Sequence, residues 1–179
     1  PYNLQGQFFG VSTQNTQIPE IGQGAIIKPY QKPHPPIVVT AVAPHSKGVT
    51  EAAKRGWTPI SANFLLPEWV ASHWPRYAEG CKAVSKEPSP SDWRIAKSIF
   101  VADDEATAKR YGHGPQGPYH FYFKQLIRKL VGLGGRGNLF KLDQSEPDAA
   151  ITADTMTPRL VIAGTVGSVV EQILAFREK

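Results

Sequence analysis

The sequence predicts an α/β protein in which short parallel strands alternate with helices. Residues 37–42 form an uncharged run rich in Val, typical of a strand that is covered on both faces. A helical pattern follows, and a second short strand begins at Thr58. A strand, a covering helix and a second strand make a βαβ unit with parallel strands and a right-handed crossover. The same alternation predicts four strands in all, near 37–42, 58–63, 94–101 and 159–163.

The helix of this first unit has clear local signals. One face carries the small or apolar residues Val49, Ala52, Ala53 and Gly56, spaced as helical neighbours. The hydroxyl of Ser46 is predicted to cap the first turn, and Gly56 is placed to end the helix.

The composition is that of an ordinary globular protein. Of 179 residues, 41% are hydrophobic and 20% are charged, which suits one domain with a core. The single cysteine, Cys81, excludes an internal disulfide, and we expect a cytoplasmic protein. No apolar run approaches membrane-spanning length and no signal peptide is visible, so no membrane partner is expected. The chain begins at Pro1 without a methionine, which indicates processing or truncation.

The formal net charge of +5 favours an anionic partner. The Lys and Arg residues are scattered, however, and no nucleic-acid-binding motif is present. We therefore expect no nucleic-acid partner and one anionic ligand.

Residues 1–36 are predicted to form an irregular or hairpin segment that wraps the remaining body, residues 37–179. Its prolines exclude helix around them. One short strand is predicted at Phe8, Phe9 and Val11, and another at residues 25–27.

Helices are predicted between the later strands. A helical pattern covers residues 67–84, with a break expected at Pro75, whose ring does not fit a helix interior. Asp103 is predicted to cap a helix in which Glu105 and Lys109 form an ion pair one turn apart.

Three more helices complete the prediction. Pro118 is placed to open a helix whose apolar stripe contains Phe123, Leu126, Ile127, Leu130 and Val131. Ser145 and Asp148 resemble a capping box for a short helix that ends near Thr155. The strand at 159–163 is followed by an amphipathic helix from Val166.

The loop after the first strand is the best candidate for a ligand site. Ligands of parallel α/β folds gather beyond the carboxyl ends of the strands, where residues 43–48 lie. Ser46 offers a hydroxyl, Lys47 a cation and Gly48 an open backbone, beside the free N–H groups of a helix start. This set suits a phosphate. The alternative, which spacing alone favours, is a capped helix with a solvated Lys47.

Three other polar residues lie at the carboxyl ends of predicted strands. Ser61 and Asn63 are at the end of the second strand and Thr165 is in the turn after the fourth, so each is a candidate ligand contact. Packing or turn formation explains them equally well. His45 is the only histidine in such a position, and a lone histidine is more often structural. The histidines show no metal-ligand spacing, so no metal is expected.

Three collinear stretches carry a resemblance to a known family. They are residues 28–65, KPYQKPHPPIVVTAVAPHSKGVTEAAKRGWTPISANFL; residues 91–112, SDWRIAKSIFVADDEATAKRYG; and residues 160–178, LVIAGTVGSVVEQILAFRE. They resemble the luciferase-like flavin-dependent monooxygenases, and within them the limonene monooxygenase-like branch. The similarity rests on long stretches rather than on one motif.

The resemblance implies a fold more specific than α/β. It implies a (β/α)8 TIM barrel of the bacterial luciferase type, of which this chain supplies the second half, strands 5 to 8. Four parallel strands alone leave two open edges. We therefore expect another half of the barrel, a homo-oligomer, or a polypeptide longer than this sequence.

The resemblance also implies an activity and a site. Family members take reduced FMN from a separate flavin reductase and use O2 to oxygenate a small organic substrate, here a terpene-like one. The phosphate loop of the family matches residues 43–48, although luciferase-type members carry an acidic and a hydroxyl residue where this chain has Pro-His-Ser-Lys-Gly. The cofactor-binding residues predicted on this basis are Ala43, His45, Ser46, Lys47, Gly48, Ser61, Asn63 and Thr165. The family's catalytic residues come mostly from the first half, so none is assigned.

Three alternatives remain open at this point. They are a non-catalytic flavin-binding luciferase-like protein, a deazaflavin-dependent oxidoreductase of the same fold, and a basic interaction domain without flavin. Flavin binding without turnover would favour the first, and steeply salt-dependent binding to nucleic acid the last.

Overall fold

The computed structural model describes residues 2–24 and 29–178, and the chain consists of two compact units. The smaller unit is Pro1–Pro36 and the larger is Ile37–Lys179. Each unit is held together mainly by interactions within itself.

The smaller unit contains an antiparallel hairpin. Its strands are β1 (Asn3–Gln5) and β2 (Gly10–Ser12), and a single 3-10 turn follows at Pro19–Ile21. Of the strand predicted at Phe8, Phe9 and Val11, only Val11 lies in a strand, β2; Phe8 and Phe9 lie in the connection and are 81% and 85% exposed. The strand predicted at residues 25–27 lies outside the described residues.

The larger unit contains two groups of parallel strands. The first group has the order β3 (Val38–Ala41), β4 (Thr58–Ser61) and β5 (Arg94–Ile95). The second pairs β6 (Ser98–Val101) with β7 (Val161–Gly164). Parallel strands joined through helices confirm the predicted mixed α/β class.

The single strand predicted at 94–101 is wrong, because it is interrupted between β5 and β6. Its first part pairs with β4 and its second part with β7, so the chain changes partner at Ala96 and Lys97. The N–H of Ala96 still donates to the carbonyl of Ser61, at 2.9 Å. The change of partner depends on a strand more than sixty residues later, which local sequence does not reveal.

Helix α1 (Lys47–Lys54) connects β3 to β4 much as predicted. Val49, Ala52 and Ala53 are buried, and Gly56 has a positive φ of 70° just beyond the helix. Trp57 N–H donates to Ala52 O and Gly56 N–H to Ala53 O, the pattern of a Schellman C-cap.

The predicted cap at the start of α1 is only half right. Ser46 occupies the N-cap position, but its side chain makes no capping hydrogen bond. The first N–H groups of the helix are therefore left open to another acceptor.

The helical region after β4 is broken at a different residue from the one predicted. It consists of α2 (Pro67–Ala71) and α3 (His73–Lys82), and Ser72 separates them. Pro75 falls in the first turn of α3, where its missing N–H removes no helical hydrogen bond. The expected break at Pro75 is therefore wrong.

Helix α4 (Glu105–Ala108) follows β6, and the cap predicted for it is off by one residue. Asp104, not Asp103, occupies the N-cap and accepts from the N–H of Thr107 at 2.8 Å. The helix continues as a π-helical turn, Lys109–His113. Glu105 bonds to Thr165 and not to Lys109, so the predicted ion pair is also wrong.

Helix α5 (Pro118–Ile127) begins at Pro118 as predicted and continues as a π-helical turn, Arg128–Leu133. Its stripe packs on the main hydrophobic core, in which Phe123 and Ile127 are buried. The same core takes in Leu66 from the segment before α2.

The last elements begin later than predicted. Helix α6 (Ala153–Leu160) is capped by a reciprocal pair, Thr152 and Thr155, so the box predicted at Ser145 and Asp148 is wrong. Arg159, predicted in the fourth strand, belongs to this helix, and β7 follows it directly. Helix α7 (Val166–Arg177) follows β7. Within residues 2–24 and 29–178, none of the helices has the length and apolar character needed to cross a membrane.

Strands β3 and β6 each leave alternate side chains exposed, whereas β7 is buried along its whole length. Val38 in β3 is 47% exposed and Val42, just after β3, is 38% exposed, whereas Ala41 between them is buried. Ile99 and Val101, which alternate along β6, are 39% and 49% exposed. Parallel sheets are normally covered on both faces.

Candidate functional site

The segment that links β3 to α1 is short and largely exposed. His45, Lys47 and Gly48 have open surfaces, while Ala43 and Ser46 are more deeply placed. His45 has a φ of 50°, in the left-handed region that residues other than glycine rarely enter. Its ring meets the Trp69 ring edge-on, with 5.9 Å between the centroids.

The first N–H groups of α1 are open to a ligand. Val49 N–H donates to Ser46 O at 3.1 Å, but none of the described residues accepts from the N–H of Lys47 or Gly48. Such groups carry the positive end of the helix dipole. A phosphate placed there would receive two N–H bonds and the charge of Lys47, which has no ion pair among the described residues.

Two neighbouring residues at the α2–α3 junction hold this segment. The N–H of His45 donates to Ser72 Oγ at 2.9 Å, and the Ser72 hydroxyl donates to Trp69 O at 2.6 Å. His73 Nε2 lies 2.7 Å from the carbonyl oxygen of Ala43. The loop is thus tied on both sides of Pro44.

Ser61 is completely buried and has partners inside the protein. Its Oγ lies 2.8 Å from His73 Nδ1 and 3.0 Å from Trp93 Nε1. Since no surface of Ser61 is accessible, it reaches the 43–48 segment only through His73.

Asn63 lies farther along the same edge and joins β6 to α5. Its amide donates to Ser98 Oγ at 3.1 Å, and the Tyr122 hydroxyl donates to Asn63 Oδ1 at 3.4 Å. Tyr122 also lines an open cleft of about 410 Å³, with Gln125, Leu126, Arg128, Lys129 and Leu133. This cleft contains none of the residues predicted to bind a cofactor.

Thr165, at the start of α7, is already bonded to an internal anion. Its N–H and its hydroxyl both reach Glu105 Oε1, at 2.9 and 2.7 Å. Both bonds hold the pKa of the Glu105 carboxyl below its ordinary value, and the bond from the backbone N–H has the larger effect. The carboxylate occupies the position at this helix start that a phosphate would take.

The structure therefore brings together six of the eight predicted residues. Ala43 and residues 45–48 are contiguous, and Ser61 is joined to them by one side chain. Asn63 and Thr165 have their own partners elsewhere. Across the described residues, no cluster of three or more His, Cys, Asp or Glu side chains is placed to hold a metal ion.

Sequence comparison finds similarity to diketocamphane monooxygenases. The chain is 24% identical over 158 residues to 3,6-diketocamphane 1,6-monooxygenase of Pseudomonas putida, covering 86% of this chain and 40% of that protein. It is 31% identical over 74 residues to 2,5-diketocamphane 1,2-monooxygenase 1 of the same organism, covering 41% of this chain and 20% of that protein. The chain spans less than half the length of these relatives. No family model matches the sequence.

Structural comparison points to the same group. The oxygenating constituent of 3,6-diketocamphane monooxygenase from Pseudomonas putida, a type II Baeyer-Villiger monooxygenase in complex with FMN, matches with a TM-score of 0.69 and 22% identity. The match covers 99% of this chain and 48% of that structure. The predicted resemblance to the luciferase-like flavin monooxygenases is confirmed.

More distant structures share the fold. A monooxygenase from Streptomyces bottropensis matches with a TM-score of 0.52 and 17% identity, over 98% of this chain and 45% of that one. The coenzyme F420 dependent tetrahydromethanopterin reductase of Methanopyrus kandleri matches with a TM-score of 0.50 and 15% identity, over 80% of this chain and 42% of that one. At these identities the likeness shows the fold alone.

Sequence reasoning missed the residues that support the loop. Ser72, His73 and Trp93 are distant in sequence from Ala43, and the pattern at 67–84 indicated one helix with only a break at Pro75. The one available signal was His73, a hydrogen-bonding residue on the apolar helical face that carries Val70, Tyr77 and Cys81.

Proposed function

We propose that this chain is part of an FMN-dependent monooxygenase of the luciferase-like kind. The observation that carries the proposal is the 43–48 segment, where a helix start follows a parallel strand. Its two N–H groups and the Lys47 cation have no protein partners among the described residues. The names of its relatives supply the activity. These residues fit a phosphate monoester such as that of FMN, since no acidic side chain lies within the segment.

The proposed fold is the second half of a (β/α)8 barrel, with the remaining strands supplied by another polypeptide segment or a second copy. Two findings support it. The chain covers 48% of the diketocamphane monooxygenase structure. Its strands β3 and β6 also leave apolar side chains such as Val38 and Val101 exposed.

In this proposal the chain's own residues bind and orient the cofactor. The N–H groups of Lys47 and Gly48 and the Lys47 ammonium hold the phosphate, and Ser46 adds a hydroxyl. His45 and Ala43 shape the backbone beside it. Reduced FMN, when bound, supplies the reaction with O2, and a flavin reductase supplies the reduced form. No catalytic base is assigned to this chain.

The proposed substrate is a small, terpene-like organic molecule, and a cytoplasmic location is part of the proposal. The diketocamphane in the names of both sets of relatives supports a bicyclic ketone. Terpene-like substrates are apolar and suit a water-excluding pocket at the mouth of a barrel.

Oxygenation of a bicyclic ketone tests the proposal directly. The purified chain, with its barrel-completing segment where one is found, receives reduced FMN, a diketocamphane and O2, and the product is analysed by mass spectrometry. We expect one oxygen atom from O2 in the product. Oxidation of the flavin with release of hydrogen peroxide and no oxygenated product would contradict the monooxygenase and leave a non-catalytic flavin-binding protein.

A charge substitution tests the phosphate loop separately. Lys47→Gln should weaken FMN binding about fivefold, because one charge-assisted contact of roughly 1 kcal/mol is lost. Lys82→Gln, an exposed lysine at the end of α3, is the matched control and should leave the affinity unchanged. Equal affinities for both variants would remove Lys47 from the site.

A deazaflavin-dependent oxidoreductase is the second candidate, and one observation favours it. The F420 dependent reductase of Methanopyrus kandleri shares the fold. Binding of coenzyme F420 in preference to FMN, measured by fluorescence titration, would favour this candidate over the first.

A further inference from the structure

We propose that His73 is the positioning residue that holds residues 43–48 in the conformation that binds phosphate. The inference rests on the proposed function and deepens it, because it names what shapes the loop. His73 has no exposed surface and lies thirty positions from Ala43 in the sequence, yet its ring contacts the loop backbone directly.

With the His73 ring neutral, the polar atoms around it allow only one arrangement of hydrogens. Ala43 O can only accept, so His73 Nε2 carries the hydrogen, and Nδ1 is the acceptor of a neutral ring. Trp93 Nε1 can only donate, so Ser61 Oγ accepts from it and gives its own hydrogen to His73 Nδ1. The result is a directed chain from Trp93 through Ser61 and His73 to Ala43.

This chain fixes the position of the Ala43 carbonyl. Ser61 ends β4 and Trp93 precedes β5, so both are held by the strands. The His73 ring therefore cannot turn without leaving a buried polar atom unpaired, which is costly. Burial keeps the pKa of His73 below its ordinary value, as the neutral ring of this chain requires.

The residue before His73 holds the other side of the loop. Ser72 Oγ accepts from the His45 N–H, and His45 has a positive φ that is unfavourable for a residue with a side chain. The carbonyl of Ala43 and the N–H of His45 are thus fixed from one helix start. Lys47 and Gly48 follow within three residues, so the direction of their N–H groups depends on these two ties.

Three variants separate positioning from general stability. His73→Phe fills the space and removes both hydrogen bonds. His73→Gln keeps a side-chain N–H that can reach Ala43 O. His113→Phe is the matched control, because His113 Nε2 also bonds a backbone carbonyl, Val161 O at 3.0 Å, at a different place in the fold. Thermal unfolding of each variant establishes that it is folded.

The test compares FMN with riboflavin, which lacks the phosphate, by fluorescence titration of each protein. We expect His73→Phe to lose about tenfold in FMN affinity with riboflavin affinity unchanged. His73→Gln should retain most of the FMN affinity, and His113→Phe all of it. A folded His73→Phe that binds FMN like the wild type, or that loses FMN and riboflavin equally, would overturn the inference.

A second readout keeps the inference separate from the proposed function. Inorganic phosphate is titrated while the backbone amide signals of Lys47 and Gly48 are followed by NMR. We expect these signals to shift in the wild type and His73→Gln and not in His73→Phe. If the wild type binds no FMN, the proposed function fails and this titration alone decides the positioning role.

Two outcomes of the phosphate titration count against His73. Equal shifts in the wild type and His73→Phe, or no shift in the wild type, would overturn the inference. Should His73→Phe not fold, His73→Asn takes its place, because it can keep the bond to Ser61 while its shorter side chain cannot reach Ala43 O.

Discussion

Lys97 is an unusual residue in this protein, because its charge is buried without a hydrogen bond. Its Nζ lies 4.9 Å from the centre of the Phe176 ring and has no acceptor among the described residues. Burial lowers the pKa of Lys97 to about 8, although the charge of Glu68 opposes the shift. A cation–π contact compensates only part of such a desolvation cost.

Replacing this lysine should stabilise the protein at neutral pH. We expect Lys97→Met to raise the free energy of unfolding by about 1 to 2 kcal/mol at pH 7, since the charged amine is buried there. The unfolded chain binds the proton up to its ordinary pKa of 10.5, so wild-type stability should rise between pH 8 and 10.5. The Lys97→Met variant has no amine to titrate, so its stability should lack the part of this increase that Lys97 causes.

Urea unfolding of both proteins at pH 7 and pH 9.5 measures the difference. The difference in the free energy of unfolding between Lys97→Met and the wild type should be smaller at the higher pH. Lys82→Met, which changes an exposed lysine, should alter stability by less than about 0.5 kcal/mol at either pH. A Lys97→Met variant that is less stable than the wild type at pH 7 would show that the amine has a stabilising partner.

At the scale of single residues, the sequence predicted a candidate loop but not the residues that hold it. Ser46, Lys47 and Gly48 could be singled out because a strand end, a cation and a helix start are adjacent along the chain. His73 could not, because its role depends on Ser61 and Ala43, which only the tertiary fold brings to its two ring nitrogens. The buried state of Ser61 was hidden for the same reason.

At the scale of elements, helices α1 and α3 approach each other closely at Gly80. A Cβ added there would lie 2.6 Å from the Ala53 Cβ and even closer to the Thr50 carbonyl oxygen. We expect Gly80→Ala to destabilise the protein by about 1 to 3 kcal/mol, because the clash exceeds the gain in helix propensity. Chemical unfolding measures this cost.

The control for this substitution is a glycine on an open helix surface. A Cβ at Gly167 in α7 would meet nothing within 4 Å. Gly167→Ala should therefore be neutral or stabilising by up to about 1 kcal/mol. If Gly80→Ala were equally harmless, the two helices would have to move apart more easily than their packing suggests.

The elements that the sequence predicted well are those with local signals. The strand–helix–strand unit around α1 has an apolar run, an amphipathic face and a glycine at its end, all close together along the chain. The break at Ser72 and the interruption of the strand at Ala96 and Lys97 follow instead from distant partners. Helix α6 was misplaced because its Thr152–Thr155 box competes with an equally plausible signal at Ser145.

At the scale of the whole molecule, the exposed apolar side chains of β3 and β6 matter most. Proposed as half of a barrel, the chain has to cover the exposed side chains of Val38, Ile99 and Val101. Helix α7 has a further exposed apolar stripe, formed by Val166, Val170, Ile173 and Leu174. Both surfaces would be interior positions if the remaining strands and helices of a barrel were present.

Association of the purified chain tests this proposal. With a mass of 19.6 kDa per chain, we expect native mass spectrometry to show a dimer or larger assembly, because a second copy is the only partner present. Changing Ile99 and Val101 together to lysine should shift the assembly towards the monomer, since charges on a buried apolar face are not tolerated. Val84→Lys, at a residue that is 48% exposed and lies after α3, outside the strands, is the control and should leave association unchanged. A folded wild-type monomer at micromolar concentration would contradict a face that needs a cover, and the strands would then be stable with one side open to water.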